Sequence, residues 1–196
     1  GQIGSAINEV LDPLEMEVFN TDKEELDITD TDEVLNFGVI NRPDVIINCA
    51  AVTDTDFCEK EPELAYRVNA LGARNLSIVA RKTGAKMVQI STDDVFDGIR
   101  HTPYTEFDDT NPKTVYGRSK RAGENYVKEF THKHFILRSN WVYGNGNNFV
   151  NRVLHAADTK DELLIASDQF GSPTSAKDLA RIILYLIKTN EYGTYH

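Results

Sequence analysis

Cysteine is scarce in this chain of 196 residues, which contains only Cys49 and Cys58, without C-x-x-C spacing. Reduced thiols in a cytoplasmic protein are therefore the simplest interpretation, and the cytoplasm is the expected location. His132 and His134 lie one residue apart, but no carboxylate or cysteine stands at ligand spacing beside them. A surface loop is the expected role for this pair, and no metal site is predicted.

Long hydrophobic runs and an excess of positive charge are also missing. The longest apolar runs, such as residues 183–187, are far too short to span a bilayer, so no membrane association is expected. Lysine and arginine number 21 against 31 aspartate and glutamate, a formal net charge of −10. Such an acidic surface repels phosphate backbones, and no nucleic-acid partner is expected.

The chain does contain enough apolar residues, 40%, to bury a core. Apolar runs alternate with segments of helical periodicity. Strands are predicted at residues 16–20, 44–48, 86–91, 134–138 and 162–166, with a further strand beginning at 193–195. Helices are predicted at residues 5–11, 30–40, 61–83, 114–129 and 176–189. The alternation favours an α/β fold, a doubly wound parallel sheet with helices on both faces.

Two features concern the ends and loops. No strand precedes the helix that follows residues 1–4, and no element closes the chain after the short run at 193–195. We therefore expect a first strand and a C-terminal stretch to be missing from this sequence. The long loops at residues 92–113 and 139–148 both follow strands, which places them at the carboxyl edge of the sheet, where open α/β sheets bind ligands.

The first four residues, Gly1 to Gly4, have the pattern of the second half of a glycine-rich dinucleotide loop. Glycines let a backbone approach a pyrophosphate, and a helix start offers free N–H groups, although a plain helix start explains G-x-x-G equally well. Asp22 lies 21 positions after Gly1, where an acidic residue would bind the adenosine ribose, or would simply be a solvated turn residue. Lys23 beside it leaves room for a 2′-phosphate.

Tyr116 and Lys120 form a Y-x-x-x-K pair on one face of a predicted helix. A neighbouring ammonium favours the phenolate, so we expect the pKa of Tyr116 to fall from its ordinary value of about 10. The segment Ser91–Asp93 follows the strand at 86–91 and supplies a hydroxyl that could hold a carbonyl oxygen opposite the phenol. Together the hydroxyl, the tyrosine and the lysine predict proton transfer to a bound carbonyl group.

With these motifs in place, the chain resembles the dTDP-4-dehydrorhamnose reductases, a family of extended short-chain dehydrogenases. The resemblance runs from the first residue to the last. It rests on residues 1–4 (GQIG), 48–51 (NCAA), 68–72 (VNALG), 91–93 (STD), 95–98 (VFDG), 116–120 (YGRSK), 141–144 (WVYG) and 168–169 with 173–174 (DQ and PT). It implies a Rossmann-like NAD(P)-binding domain over residues 1–140 that lacks its first strand, and a partial substrate-binding region over residues 141–196, interleaved with the last strands.

The resemblance also implies roles for individual residues. Tyr116 matches the proton donor, and Lys120 the lysine that holds the nicotinamide ribose and tunes Tyr116, so both also contact the cofactor. Thr92 matches the hydroxyl that orients the sugar ketone, and Thr92, Asp93 and Trp141 match substrate contacts. Residues matching the cofactor site are Gly1, Gln2, Ile3 and Gly4 at the pyrophosphate, Asp22 at the ribose, Asp27 and Ile28 at the adenine, and Ala51, Val52 and Thr53 in the loop beside the cofactor.

The implied reaction is reduction by NADPH or NADH of the 4-keto group of a dTDP-linked 6-deoxy sugar, with that nucleotide sugar and, as one option, a second copy in a homodimer as partners. One residue departs from the family pattern: Asp94 stands where S-T-D-Y-V-F has tyrosine. Adjacent acids after the threonine are similar to the T-D-E run of nucleotide-sugar 4,6-dehydratases, a second hypothesis. A third is a non-catalytic NADP-binding regulatory subunit, since relatives of this fold include one.

Overall fold

The computed structural model describes residues 1–11 and 15–196. Eight α-helices and six strands are found in this part of the chain, together with a π-helical turn between α4 and α5 and a 3-10 turn after β2. In chain order they are α1 (Gln2–Val10), α2 (Thr31–Asn41), β1 (Val45–Asn48), α3 (Thr55–Lys60), α4 (Pro62–Tyr66), the π turn (Arg67–Gly72), α5 (Ala73–Thr83), β2 (Lys86–Thr92), the 3-10 turn (Asp93–Val95), α6 (Val115–Phe130), β3 (His134–Ser139), β4 (Val142–Tyr143), α7 (Phe149–Ala157), β5 (Thr174–Ser175), α8 (Ala176–Leu186) and β6 (Gly193–Tyr195).

Four strands form one parallel sheet in the order β1-β2-β3-β6. The register pairs Thr92 at the end of β2 with Ser139 at the end of β3. Consecutive parallel strands need a crossover, and α5, α6 and α8 supply the helices of these connections. The predicted α/β class with a parallel sheet is confirmed.

Helices cover both faces of this sheet. On one face Val88, Ile90, Phe135 and Leu137 pack with buried residues of α1 and α8. On the other face Met87 and Ile136 pack with residues of α2, α5 and α6. Side chains alternate between the faces of a strand, so apolar strands buried on both sides are what this arrangement requires.

Local sequence explains where several helices begin. The carboxylate of Asp30 accepts from the N–H of Glu33, Thr114 Oγ1 accepts from the N–H of Gly117, and the Ser175 hydroxyl accepts from the N–H of Asp178. Each bond satisfies one of the N–H groups that a helix start leaves free. Gly84 ends α5 at φ 81°, in the left-handed region that favours glycine.

Two predicted strands do not form. Residues 16–20 pair with no strand among the described residues, and Val18 and Phe19 are largely exposed. Residues 162–166 likewise form no strand, and the Leu164 side chain is fully exposed. A β-branched run becomes a strand only when a neighbour accepts and donates its backbone hydrogen bonds, and periodicity does not report that neighbour.

Smaller differences concern helices and loops. Helices α3 and α7 were not predicted, and β4 pairs with β5 in a separate two-stranded sheet that brackets residues 144–173. The first helix begins at Gln2 rather than Ser5, and the last ends at Leu186, three residues before the predicted end. No helix within residues 1–11 or 15–196 has the length and apolar character that crossing a membrane requires.

Candidate active site

The carboxyl ends of β1, β2 and β3 meet at one edge of the sheet, because the strands are parallel and adjacent. The loop after β1 contains residues 51–53, β2 ends at Thr92, and β3 is followed by Trp141. Helix α6 packs on β2 from its first turn onward, which brings Tyr116 and Lys120 to the same edge. The sequence-predicted residues from these four segments therefore converge.

The first turn of α6 lies directly against the backbone that follows Thr92. A Cβ atom placed on Gly117 would stand 2.1 Å from the carbonyl oxygen of Asp94, so only glycine permits this approach. Thr92 is buried, and its hydroxyl is near enough to the phenol of Tyr116 to favour the ionised form of that phenol.

The pKa of Tyr116 is raised from its ordinary value, not lowered as we expected. Burial is the main cause, and the charges of Asp94 and Asp93 add to it, while the Thr92 hydroxyl opposes them. Lys120 is not among the main causes of this shift, and its ammonium donates to the carbonyl oxygen of Ile90. The phenol is thus held protonated near neutral pH, which is the form that a proton donor needs.

Lys120 is almost fully buried, and its Nζ donates to the carbonyl oxygen of Ile90 at 2.7 Å. Burial lowers the pKa of this ammonium to about 8, and the charge of Glu124, with that of Cys49 when its thiol is ionised, works in the opposite direction. The i,i+4 spacing places Tyr116 and Lys120 on one face of α6, as predicted. The Lys120 side chain nevertheless reaches the backbone of β2.

Asp93 and Asp94 form a half-buried pair of carboxyl groups beside the phenol. Burial raises the pKa of Asp93 to about 6, with the charge of Asp94 as the second cause. Burial also raises the pKa of Asp94. The Thr92 hydroxyl donates to Asp93 Oδ1 at 3.2 Å and accepts from the Asp94 N–H at 3.2 Å, so the three residues form one tight turn.

The loop after β1 is held by a residue that we did not predict. Asn69, in the π turn, is buried; its amide donates to the Val52 carbonyl and accepts from the Val52 N–H, both at 2.9 Å. The same amide donates to the Ser119 hydroxyl on α6 at 2.9 Å. π turns inside helices often mark functional sites, and this one links the Ala51–Thr53 loop to the helix of Tyr116.

The helix start at Gly1–Gly4 has backbone N–H groups without a side-chain partner in the described part of the chain. No side chain caps the N–H groups of α1, and a Cβ on Gly1 or Gly4 would meet no atom within 4 Å. An anion could therefore approach these N–H groups closely. The Gln2 side chain contacts the loop between β4 and α7: it donates to the Asn147 carbonyl and accepts from the Asn148 amide, both at 3.2 Å.

The residues expected at the adenosine lie in a separate segment. Asp22 is exposed, and its carboxylate accepts from the N–H groups of Glu24 at 2.9 Å and Glu25 at 3.4 Å, as in a turn. Asp27 is partly exposed and accepts from the N–H of Thr29, which lowers its pKa. Ile28 packs against Gly72 of the π turn. Among the described residues no hydrogen bond joins Asp22 to Gly1–Gly4, and Asn20, two residues before Asp22, accepts from the Asn8 amide of α1 at 2.9 Å.

Trp141 has an unusual backbone for a large residue, with φ 41°. Its indole is 41% exposed and lies 6.2 Å from the Phe149 ring, so it is not a core tryptophan. Strained backbone conformations cluster at functional sites. The exposed ring at the carboxyl edge is consistent with a surface on which an apolar face of a ligand packs.

A parallel sheet wound by helices on both faces, with a tyrosine and a lysine on the helix that crosses a strand-exit threonine, defines an α/β oxidoreductase of the short-chain dehydrogenase class. Within that class, the chain belongs to the family described as the RmlD substrate binding domain, whose model matches residues 1–196.

Individual relatives agree with this assignment. The spore coat polysaccharide biosynthesis protein SpsK of Bacillus subtilis is 42% identical over 197 residues, which cover all of this chain and 69% of that protein. A crystal structure of a dTDP-4-dehydrorhamnose reductase from Clostridium acetobutylicum matches with a TM-score of 0.98 and 47% identity, over all of this chain and 70% of the other. The Bacillus anthracis dTDP-4-dehydrorhamnose reductase, solved in complex with NADP, matches with a TM-score of 0.97 and 46% identity over the same shares.

Proposed function

We propose that the protein is an NAD(P)H-dependent dTDP-4-dehydrorhamnose reductase, which reduces the 4-keto group of dTDP-4-dehydro-6-deoxy-L-mannose to give dTDP-L-rhamnose. The observation that carries the proposal is the meeting of Thr92 and Tyr116 at the end of β2, with Lys120 on the same face of α6. The family assignment and the reductases named above support the same substrate class.

In this reaction the nicotinamide, when bound, supplies the hydride. Tyr116 gives its phenolic proton to the oxygen of the ketone, and its raised pKa keeps that proton in place until charge develops. Thr92 donates a second hydrogen bond to the same oxygen when its hydroxyl proton turns from Asp93 Oδ1 to the ketone. Preorganised donors of this kind contribute about 3–4 kcal/mol each to the stability of a transition state.

The remaining assignments belong to the same proposal. Residues 1–140 hold the cofactor, with the Gly1–Gly4 helix start at the pyrophosphate, Asp22, Asp27 and Ile28 at the adenosine, and Ala51–Thr53 with Lys120 near the nicotinamide ribose. Residues 141–196 contribute part of the sugar-nucleotide site, with Trp141 as a contact, and Thr92 and Asp93 at the end of β2 are the other contacts. The cytoplasm as location, a homodimer as assembly and the absence of a nucleic-acid partner stay predictions, the second testable by light scattering.

The test is oxidation of NADPH or NADH by the full-length protein with dTDP-4-dehydrorhamnose, followed at 340 nm, a wavelength at which only the reduced cofactor absorbs. We expect turnover, with dTDP-rhamnose as product by chromatography. Cofactor binding without any turnover of the sugar would contradict the proposal and favour the regulatory-subunit hypothesis instead.

A 4,6-dehydratase is the second candidate, and the Asp93–Asp94 pair is the observation in its favour. A dehydratase needs carboxyl groups that exchange protons near neutral pH, and the pKa of Asp93 is raised to about 6. This candidate predicts conversion of dTDP-glucose without net consumption of cofactor. If dTDP-glucose is unchanged while dTDP-4-dehydrorhamnose is reduced, the dehydratase hypothesis is wrong.

A further inference from the structure

Three side chains lie on one face of α6 at intervals of four residues. Each of them contacts a different one of the last three residues of β2. The phenol of Tyr116 lies against Thr92, and Lys120 Nζ donates to the Ile90 carbonyl at 2.7 Å. One turn further on, the Glu124 carboxylate accepts from the Ser91 hydroxyl at 2.6 Å. The first two side chains belong to the proposed reaction, whereas Glu124 has no role assigned in it.

Glu124 is a fully buried carboxylate with four hydrogen-bond donors. Arg138 on β3 donates from Nε to Oε1 at 2.9 Å and from a terminal nitrogen to Oε2 at 2.8 Å. Arg121 donates to Oε2 at 3.0 Å, and Ser91 completes the set. Burial alone opposes ionisation, but Arg138, Ser91 and Arg121 outweigh it and hold the pKa of Glu124 below its ordinary value.

Lys120 has few groups that favour its charged form. From its own helix it meets the charge of Glu124, from the loop after β1 the thiol of Cys49, and from β2 only the main-chain carbonyl of Ile90. Removing a buried ammonium from water favours the neutral amine. Among these neighbours Glu124 is the one that carries a full negative charge at neutral pH.

We propose that Glu124 is a positioning residue of this site: its carboxylate fixes Ser91, and with it the Thr92 end of β2, and its charge holds Lys120 in the protonated form. For its kinetic readout the inference rests on the proposed function. The charge of Lys120 is measurable without turnover, so the two are separable.

The first experiment is a titration of the full-length protein in which lysine carries 13C at Cε, followed by NMR, with Lys120 assigned by its loss in Lys120→Arg. In the wild type we expect Lys120 to titrate near pH 8. In Glu124→Gln the midpoint should fall by about one pH unit or more, because a buried ammonium loses its nearest anion. A wild-type Lys120 that titrates below pH 7 contradicts the proposal, whether or not the variant folds.

The second experiment is the pH profile of kcat/KM for reduction of dTDP-4-dehydrorhamnose. The alkaline limb of Glu124→Gln should move to lower pH together with the NMR midpoint, so that its loss of kcat/KM is about tenfold larger at pH 8.5 than at pH 6.5. Glu124→Asp keeps the charge and should return the alkaline limb of the profile to its wild-type pH. Ser91→Ala keeps the charge but loses the bond to β2, and should lower kcat without moving the limb.

Asp178→Asn is the matched control, since Asp178 and Arg181 form an exposed i,i+3 pair at 2.8 Å on α8, the same spacing as Arg121 and Glu124. It should change neither the midpoint nor the limb. If Glu124→Gln loses stability but leaves both unchanged, Glu124 is only structural and the proposal is wrong. If Lys120 shifts as expected in a protein that does not reduce the sugar, the proposed function fails while the charge assignment stands.

Discussion

Helices α6 and α7 both lie next to the candidate site, yet they are held in opposite ways. Seven residues of α6 are buried, including the charged Lys120 and Glu124, and each of these two has hydrogen-bond partners. Helix α7 is amphipathic but has no buried residue in the part of the chain that the structure describes. Buried polar groups are stable only with partners, so α6 is a fixed platform for proton transfer. The segment from Trp141 to residue 173 has instead the short β4–β5 pairing of a separate sheet and hydrogen bonds to Gln2 and Glu9 of α1.

The largest effect is expected when the phenolic hydroxyl of Tyr116 on α6 is removed. Tyr116→Phe should lower kcat by about 10²–10⁴-fold, because the proton donor is gone while the ring still fills its site. Steady-state kinetics of the full-length protein measure it, and Tyr126→Phe on the same helix is the control. Turnover within tenfold of the wild type would show that another group protonates the ketone.

The next largest effect is expected where α6 closely approaches the turn after β2. Gly117→Ala should lower the free energy of unfolding by about 1–3 kcal/mol, since its Cβ would meet the Asp94 carbonyl oxygen at 2.1 Å. Urea denaturation measures this change. Gly4→Ala places a Cβ in open space on α1 and should leave the free energy of unfolding unchanged or slightly higher. Equal losses in the two variants would mean that the contact with Asp94 is unimportant.

Asp93 lies in the 3-10 turn against which α6 packs, and its titration makes the free energy of unfolding depend on pH. Its pKa is raised from 3.8 to about 6 by burial and the charge of Asp94, so the folded protein binds this proton more tightly than the unfolded chain does. This contribution to stability is fully present below pH 3.8 and is lost as the pH rises to about 6. Asp93→Asn should remove that fall, about 2–3 kcal/mol, from unfolding curves across the range.

Asp109→Asn, at an exposed position, is the control for the Asp93 variant and should keep the wild-type slope. Wild-type and Asp93→Asn curves that run parallel between pH 4 and pH 6 would contradict the raised pKa of Asp93.

The smallest effect is expected on α7. Leu154 is 60% exposed, so Leu154→Ala should change the free energy of unfolding by less than about 0.5 kcal/mol. Val127→Ala on α6 removes two fully buried methyl groups and should cost about 1–3 kcal/mol. A loss above 1 kcal/mol for Leu154→Ala in the full-length protein would mean that α7 is covered there, and the contrast between the helices would narrow.

Much of the sheet could be predicted from the sequence because its strands are apolar on both faces. Residues 44–48, 86–91 and 134–138 became β1, β2 and β3, and the start of β6 was also found. The strands predicted at 16–20 and 162–166 are not formed, since pairing depends on a neighbour that is distant in sequence. Helix α7 was missed because its apolar spacing lies in a segment that looks like a loop.

The candidate site likewise contains residues that the sequence predicted and residues that it did not. The Y-x-x-x-K spacing predicted that Tyr116 and Lys120 share a helix face, and the Ser91–Asp93 segment predicted a hydroxyl at a strand exit. Asn69 and Glu124 were missed, although an asparagine within an apolar helix and an acid four residues after Lys120 were visible. Their roles depend on Val52, Ser91 and Arg138, which no local pattern links to them.

By itself the sequence determined the parallel α/β class, and it predicted the edge of the sheet for the site and the chemistry of Tyr116, Thr92 and Lys120. These depend on residue types and on spacing along single elements. Only the tertiary structure decided that the pKa of Tyr116 is raised rather than lowered. It also decided that Lys120 and Glu124 both form hydrogen bonds to β2. The reason is that desolvation and charge act through space, between residues that the chain brings together only when it folds.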